Sequence, residues 1–151
     1  MSAGVIEQLA NRIGEEIQLS DWLEVDQDLV NIFADATHDH QWIHVDVERA
    51  RRESPFGGPI AHGFLTLSLL PAFMGDAFAD LTVRQVINYG CEKVRFPAPV
   101  PVGSRLRGRF VLKSVEAGPM GSAKCTMTAV VEIEDADKPA CVAEPVFLLF
   151  A

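Results

Sequence analysis

Between Asp35 and Asp46, the stretch ADATHDHQWIHVD (34–46) holds three of the chain's four histidines, His38, His40 and His44. Three aspartates, Asp35, Asp39 and Asp46, stand among them. A carboxylate and an imidazole are the side chains best suited to moving a proton to or from water near neutral pH. Asp39 and His44 are separated by four residues, and a bent loop of that length can turn both into one cleft. His38 and His40 flank Asp39 and point elsewhere if Asp39 points in. The same spacing also fits a helix-terminal loop with capping aspartates and exposed histidines, and spacing alone leaves both readings open. A metal site is a third reading. His40 and His44 have the i, i+4 spacing of a helical zinc pair, but the glutamate that follows the first histidine in such motifs is missing. A third ligand would have to come from His62 or a distant carboxylate, so no metal is expected.

A second stretch, GGPIAHGF (57–64), supplies a different kind of group. Gly57 and Gly58 allow backbone shapes closed to other residues. Gly63 falls at the start of an apolar helix, where a backbone N–H is left unpaired by the helix and aimed beyond its end. Such an N–H can stabilise a developing oxyanion; a glycine required only for tight packing fits the position as well. His62 is either a second base or a positional residue, its ring packed or hydrogen-bonded near the loop.

These residues need elements to hold them. Apolar residues at Val5, Ile6, Leu9, Ala10, Ile13 and Ile17 have helical spacing, and residues 20–25 suit a short strand. Asp26 is a good N-cap for an amphipathic helix through Leu29, Val30, Ile32, Phe33 and Ala36, which ends where the histidine-rich stretch begins. Asp46 suits the cap of a short helix running from Glu48 to Arg52. FLTLSLLPAFMGDAF (64–78) is apolar on almost every side, the pattern of a buried central helix. After Asp80 the texture changes to four long segments that alternate polar and apolar residues between Gly, Pro and Asp turns. Arg105, Arg107 and Arg109, for example, alternate with Leu106, Gly108 and Phe110. They read as antiparallel strands with one face wet. One very apolar helix followed by such strands predicts an α+β fold, a sheet wrapped around the helix, in a single domain over residues 1–151.

Composition narrows the function classes. The 151 residues are enough for one domain with a sizeable core, and 48% are hydrophobic. The net charge of −8 disfavours nucleic acid as a partner. Cys91, Cys125 and Cys141 are odd in number and widely spaced, which suggests no disulfide framework and fits a reducing cytoplasm. The first residues lack a basic, apolar leader pattern, and the uncharged run from Gly57 to Gly75 contains Gly, Pro and His62, so neither a secretory signal nor a membrane span is expected. Seven of the thirteen Lys and Arg residues lie between Arg84 and Lys113, beside one acid, Glu92. They are either the solvated faces of strands or a cationic rim for an anionic group such as a phosphate.

DHQWIH (39–44), followed by PFGGPIAHGFLTLSLL (55–70) and NYGCEKVRFPAPVPVGSRLRGR (88–109), resembles the MaoC-like dehydratases, or (R)-specific enoyl-CoA hydratases. The likeness runs from about residue 20 to the C-terminus and is strongest toward the NodN-like single-domain members. It implies a hot-dog fold, a long central helix wrapped by an antiparallel sheet, and a homodimer whose sheets join edge to edge. It implies a reversible hydration of trans-2-enoyl thioesters to (3R)-3-hydroxyacyl thioesters. Asp39 and His44 would be its acid/base pair and the Gly63 N–H its oxyanion donor. No cofactor is implied, since coenzyme A or an acyl carrier protein carries the substrate. The family's motif has Asn-Pro where this chain has Gln41 and Trp42. Gln41 can replace Asn as a polar orienting group, whereas Trp42 lacks proline's fixed φ and must hold the loop by packing. Gln41, Trp42 and His62 would thus border the substrate. Lys93, Arg95 or Arg105 could meet the phosphates of coenzyme A, in competition with Arg49, Arg51 and Arg52. Two alternatives share the fold: a hot-dog thioesterase, which would direct water at the thioester carbonyl, and a non-catalytic subunit that binds acyl thioesters.

Overall fold

The computed structural model describes residues 3–151. Its elements run α1 (Ala3–Ala10), β1 (Glu16–Leu19), β2 (Leu23–Val25), α2 (Gln27–Thr37), α3 (Trp42–Val45) and α4 (Val47–Glu53), then α5 (Gly63–Ser68), α6 (Leu70–Met74), β3 (Gln85–Arg95), β4 (Ser104–Ala117), β5 (Ala123–Ile133) and β6 (Cys141–Phe150). The six strands form one antiparallel sheet in the order β1-β4-β5-β6-β3, with β2 also on β4. The four long strands are those expected from the alternation. β1 and β2 are short additions that share one flank of β4.

The hydrophobic core lies between the concave face of the sheet and the helices. Leu70, Phe73 and Met74 of α6 meet Phe110, Leu112, Met127, Val131 and Leu149 there. The approach is close enough that Gly108 of β4 has no room for a side chain, since a Cβ there would lie 2.6 Å from Phe73 Cβ. Val5 and Leu9 of α1 join the same cluster. This is the α+β arrangement expected from the periodicity and the hot-dog architecture that the resemblance implies.

Two helices differ from expectation. α1 stops at Ala10 and does not reach Ile17. Gly14 takes a left-handed φ of 88°, which ends the helical path, and Ile17 is buried in β1 instead. The single central helix is two short ones. Pro71 has no N–H to return to the preceding turn, so the run breaks at Leu69, which joins α5 to α6. Nor is it buried all round, because Phe64 at its start is 68% exposed.

The segments around the chemistry are clamped to one another. Asp26 caps α2 by accepting from Leu29 N–H at 2.8 Å, and Asp46 caps α4 by accepting from Arg49 N–H at 3.0 Å. Ile60 N–H donates to the Ile43 carbonyl at 3.0 Å, and Ala61 N–H to the Val100 carbonyl at 2.8 Å. The loop before α5 is therefore held on one side by α3 and on the other by the chain leading into β4.

Candidate active site

Asp39 follows the end of α2. His38 closes that helix in the left-handed conformation, φ 62° and ψ 22°, which turns the chain back toward α3. The Asp39 carboxylate accepts from Gln41 N–H at 3.3 Å and is 53% exposed. His40 turns away, its Nε2 2.8 Å from Asp35 Oδ1. The crowded stretch thus resolves into one half-exposed acid near the buried His62, with the neighbouring His40 occupied elsewhere.

His44 sits in α3 and is buried. Its Nδ1 lies 2.6 Å from the Ile60 carbonyl oxygen. A carbonyl only accepts, so Nδ1 carries the hydrogen and Nε2 is the free acceptor of the neutral ring. Burial pushes the His44 pKa below its ordinary value. The Ile60 hydrogen bond opposes that shift, His62 reinforces it, and Asp39 opposes it. Gln27 steadies the same helix by donating from Nε2 to the His44 carbonyl at 2.8 Å.

His62, the N-cap residue of α5, is almost wholly buried. Its Nε2 donates to the backbone carbonyl of Asp39 at 3.0 Å and lies 4.0 Å from the Asp39 carboxylate. Its ring stacks on that of His44, with centroids 3.8 Å apart and planes 24° from parallel, and Phe33 closes its other side at 4.9 Å. Nδ1 of His62 is buried without a hydrogen-bond partner. One ligand-type atom from each of Asp39, His44 and His62 falls within 4.8 Å of the other two. Two acceptors that close can share one water, because each bond to it spans about 2.8 Å. His44 Nδ1 and His62 Nε2 both donate to backbone carbonyls, so each neutral ring keeps one bare nitrogen, and that of His62 is buried.

Gly63 is the first residue of α5 and shares a cavity of about 290 Å3 with His44. The buried side of that cavity is formed by Ala61, Thr66, Val100 and Ala140, and exposed Phe56 and Phe96 stand at its mouth. Hollows of about 390 Å3 beside Tyr89 and about 420 Å3 beside Trp22 are larger, but no imidazole lines either. The smaller cavity is thus the one of the three that an imidazole lines.

The remaining expected residues fall around this centre. The Gln41 side chain is exposed and caps nothing; its backbone N–H orients Asp39 instead. The Trp42 indole lies under the Arg49 guanidinium at 4.3 Å, a packing contact that stabilises the turn where proline is usual. Lys93 is 3.6 Å from Glu144 on the sheet, and Lys113 shares that carboxylate at 2.6 Å. Arg95 donates to the Val94 carbonyl at 2.7 Å and directly precedes Phe96 at the cavity mouth. Arg105 and Arg107 pair with Glu134 and Glu132, so much of the cationic segment is a ladder of ion pairs on the strands. Sequence reasoning missed Gln27, the Ile60 carbonyl and Phe96. Only Phe96 carried a signal, an aromatic residue directly before Pro97, where the chain must leave its strand.

A family profile described as "MaoC like domain" matches residues 8–135. The chain is 52% identical over 141 residues to 3-hydroxyacyl-thioester dehydratase Z of Mycobacterium tuberculosis, a match covering 93% of each protein. It is 50% identical over 134 residues to Nodulation protein N of Rhizobium leguminosarum bv. viciae, covering 88% of this chain and 83% of that one. Among solved structures it is similar to a monoamine oxidase regulatory protein of Archaeoglobus, with a TM-score of 0.78 and 25% identity over 91% of this chain and 89% of that one. It also shares the fold of an (R)-hydratase from A. caviae, with a TM-score of 0.69 and 24% identity over 88% and 95% of the two chains. Matched over most of its length by this profile, and about half identical to proteins whose length it largely covers, the chain belongs to the MaoC-like domain family.

Proposed function

We propose that this chain is an (R)-specific enoyl-thioester hydratase and dehydratase, which interconverts trans-2-enoyl and (3R)-3-hydroxyacyl thioesters by adding or removing water. One observation carries the reading: the Asp39 carboxylate and a ring nitrogen of the buried His44 lie within 4.8 Å of each other, close enough to share one water, and His44 lines a cavity together with Gly63.

In the hydration direction Asp39 and His44 both begin as acceptors and hold the two hydrogens of that water. Its oxygen attacks C3, and one proton passes to the pair as the C–O bond forms. The electrons of C2=C3 move toward the thioester oxygen, where the Gly63 N–H stabilises the enolate. The pair then returns the proton to C2 from the same face, so that water is added in full and both groups are restored. α5 has only six residues, so the help to the oxyanion is a local hydrogen bond more than a helix dipole.

None of the steps needs a metal or a cofactor. The carrier is coenzyme A or an acyl carrier protein, with Arg95 beside the cavity mouth as a cation for its phosphates. The active form is a homodimer. β3 uses one edge to pair with β6, while its other edge is open and Val86 and Tyr89 are exposed, which suits pairing with β3 of a second copy. No helix among the described residues is long and apolar enough to cross a membrane, and we place the enzyme in the cytoplasm.

The test uses purified protein and crotonyl-CoA. Loss of the enoyl absorbance with formation of the (3R)-3-hydroxy product and no free thiol is expected. Release of free thiol with C2=C3 intact would assign the site to a thioesterase, and tight binding without turnover would assign it to a non-catalytic subunit.

A further inference from the structure

We propose that Phe96 is a specificity-determining residue of this site and that it selects acyl groups unbranched at C2; the inference rests on the hydratase reading. The first observation is at Gly63. A Cβ built there would lie 2.9 Å from Phe96 Cδ2 and 3.0 Å from Cε2, so the ring already fills the space next to the oxyanion donor. The second is how the ring is held. Phe96 follows the last residue of β3, precedes Pro97 and is 39% exposed. Phe64 meets it edge-on, with centroids 6.1 Å apart and planes at 79°, and Phe64 is itself largely exposed. The ring is thus a wall at the cavity mouth, supported on two sides and absent from the core cluster.

The position of this wall defines what it excludes. The thioester oxygen must come within about 2.9 Å of the Gly63 nitrogen to accept its hydrogen bond. The Gly63 Cα, one bond away, is covered by the Phe96 ring. The atoms nearest that ring in a bound substrate are therefore those next to the carbonyl, C1 and the substituents of C2. The far end of the acyl chain lies elsewhere. A hydrogen at C2 fits beside the ring, whereas a methyl group competes with it for the same volume. One methyl group in an apolar pocket is worth roughly 10- to 200-fold in discrimination.

The experiment compares kcat/KM for crotonyl-CoA and its 2-methyl analogue on the full-length protein and on Phe96→Leu and Phe96→Ala. The intact protein is expected to favour crotonyl-CoA by at least about 10-fold. Phe96→Ala should bring the two substrates within about threefold of each other, and Phe96→Leu should fall between. Phe96→Leu preserves most of the apolar volume, so the comparison survives if Phe96→Ala does not fold. A ratio unchanged in the folded variants would overturn the role of Phe96 and leave the hydratase reading standing. Failure of the intact protein to hydrate either substrate would overturn both.

Discussion

The His44 imidazole is anchored through Nδ1 to one backbone atom, the carbonyl oxygen of Ile60 at 2.6 Å. That bond sets the tautomer and leaves Nε2 without a hydrogen, on a residue that lines the cavity with Gly63. Ile60 is itself held, through its N–H, by the Ile43 carbonyl next to His44. The His44 imidazole and its anchor are thus locked to each other by two hydrogen bonds between α3 and the loop before α5.

The pH dependence follows from that burial. The neutral form of His44 is favoured in the fold, so its pKa lies below the ordinary imidazole value of about 6.5. The acid limb of kcat/KM for crotonyl-CoA is expected to have its midpoint below that value, with no loss between pH 7 and 8 from this group. The unfolded chain binds the proton more readily, so the contribution of His44 to stability is complete above the ordinary value. It declines as pH falls toward the folded one. An acid limb centred above pH 7 would contradict the assignment.

Trp42 is expected to be replaceable by proline. It occupies the first position of α3, where proline is tolerated, and Gln41 before it has the extended conformation, φ −55° and ψ 136°, that a following proline requires. Trp42→Pro removes the contact with Arg49, worth about 0.5–1 kcal/mol at an exposed site. Proline's lower unfolded-state entropy offsets a similar amount. Thermal unfolding should move by only a few degrees, and kcat/KM should stay within about fivefold, on the order of 1 kcal/mol. A 100-fold loss would show that the indole itself touches substrate.

Gly63→Ala should retain the fold and lose turnover. The new Cβ meets the Phe96 ring at 2.9 Å, and either the ring or the α5 N-terminus must shift. Displacing one oxyanion donor costs about 10²–10³ in kcat, and a partial shift should cost at least 10-fold. Circular dichroism and crotonyl-CoA kinetics check the two halves of the expectation. Full activity in Gly63→Ala would remove the N–H from the mechanism.

Much of this site was legible because the signals are local. Asp26 and Asp46 cap the helices that follow them, as an aspartate before an amphipathic run suggests. The apolar period located Gly63 at a helix start, and the alternation after Asp80 located the four long strands. Pro71 marks the break as a residue type, but the apolar run around it has the pattern of one continuous helix. Ile60 left no trace, because any residue offers a carbonyl and only tertiary structure aims it. Gln27 is equally unmarked: a polar residue at a helix start gives no sign of reaching a carbonyl seventeen positions away. Lys93 shows the converse, since clustering in sequence suggested a rim and strand register delivered it to Glu144.

Assembly is tested at the open edge of β3. Sedimentation velocity of the intact chain is expected to give twice the monomer mass of 16.5 kDa. Replacing exposed Val86 and Tyr89 by lysine should shift the population toward monomer, because a charged edge resists strand pairing. A monomeric intact chain would contradict the dimer.

The central claim is that Asp39 and His44 act on one shared water. The most direct measurement is kcat for crotonyl-CoA hydration in Asp39→Asn and His44→Gln, each verified as folded by circular dichroism. Each variant is expected to lose about 10²–10⁴-fold, with the double variant falling little further, because removing either partner disables the same water. Turnover near that of the intact chain in both single variants would contradict it.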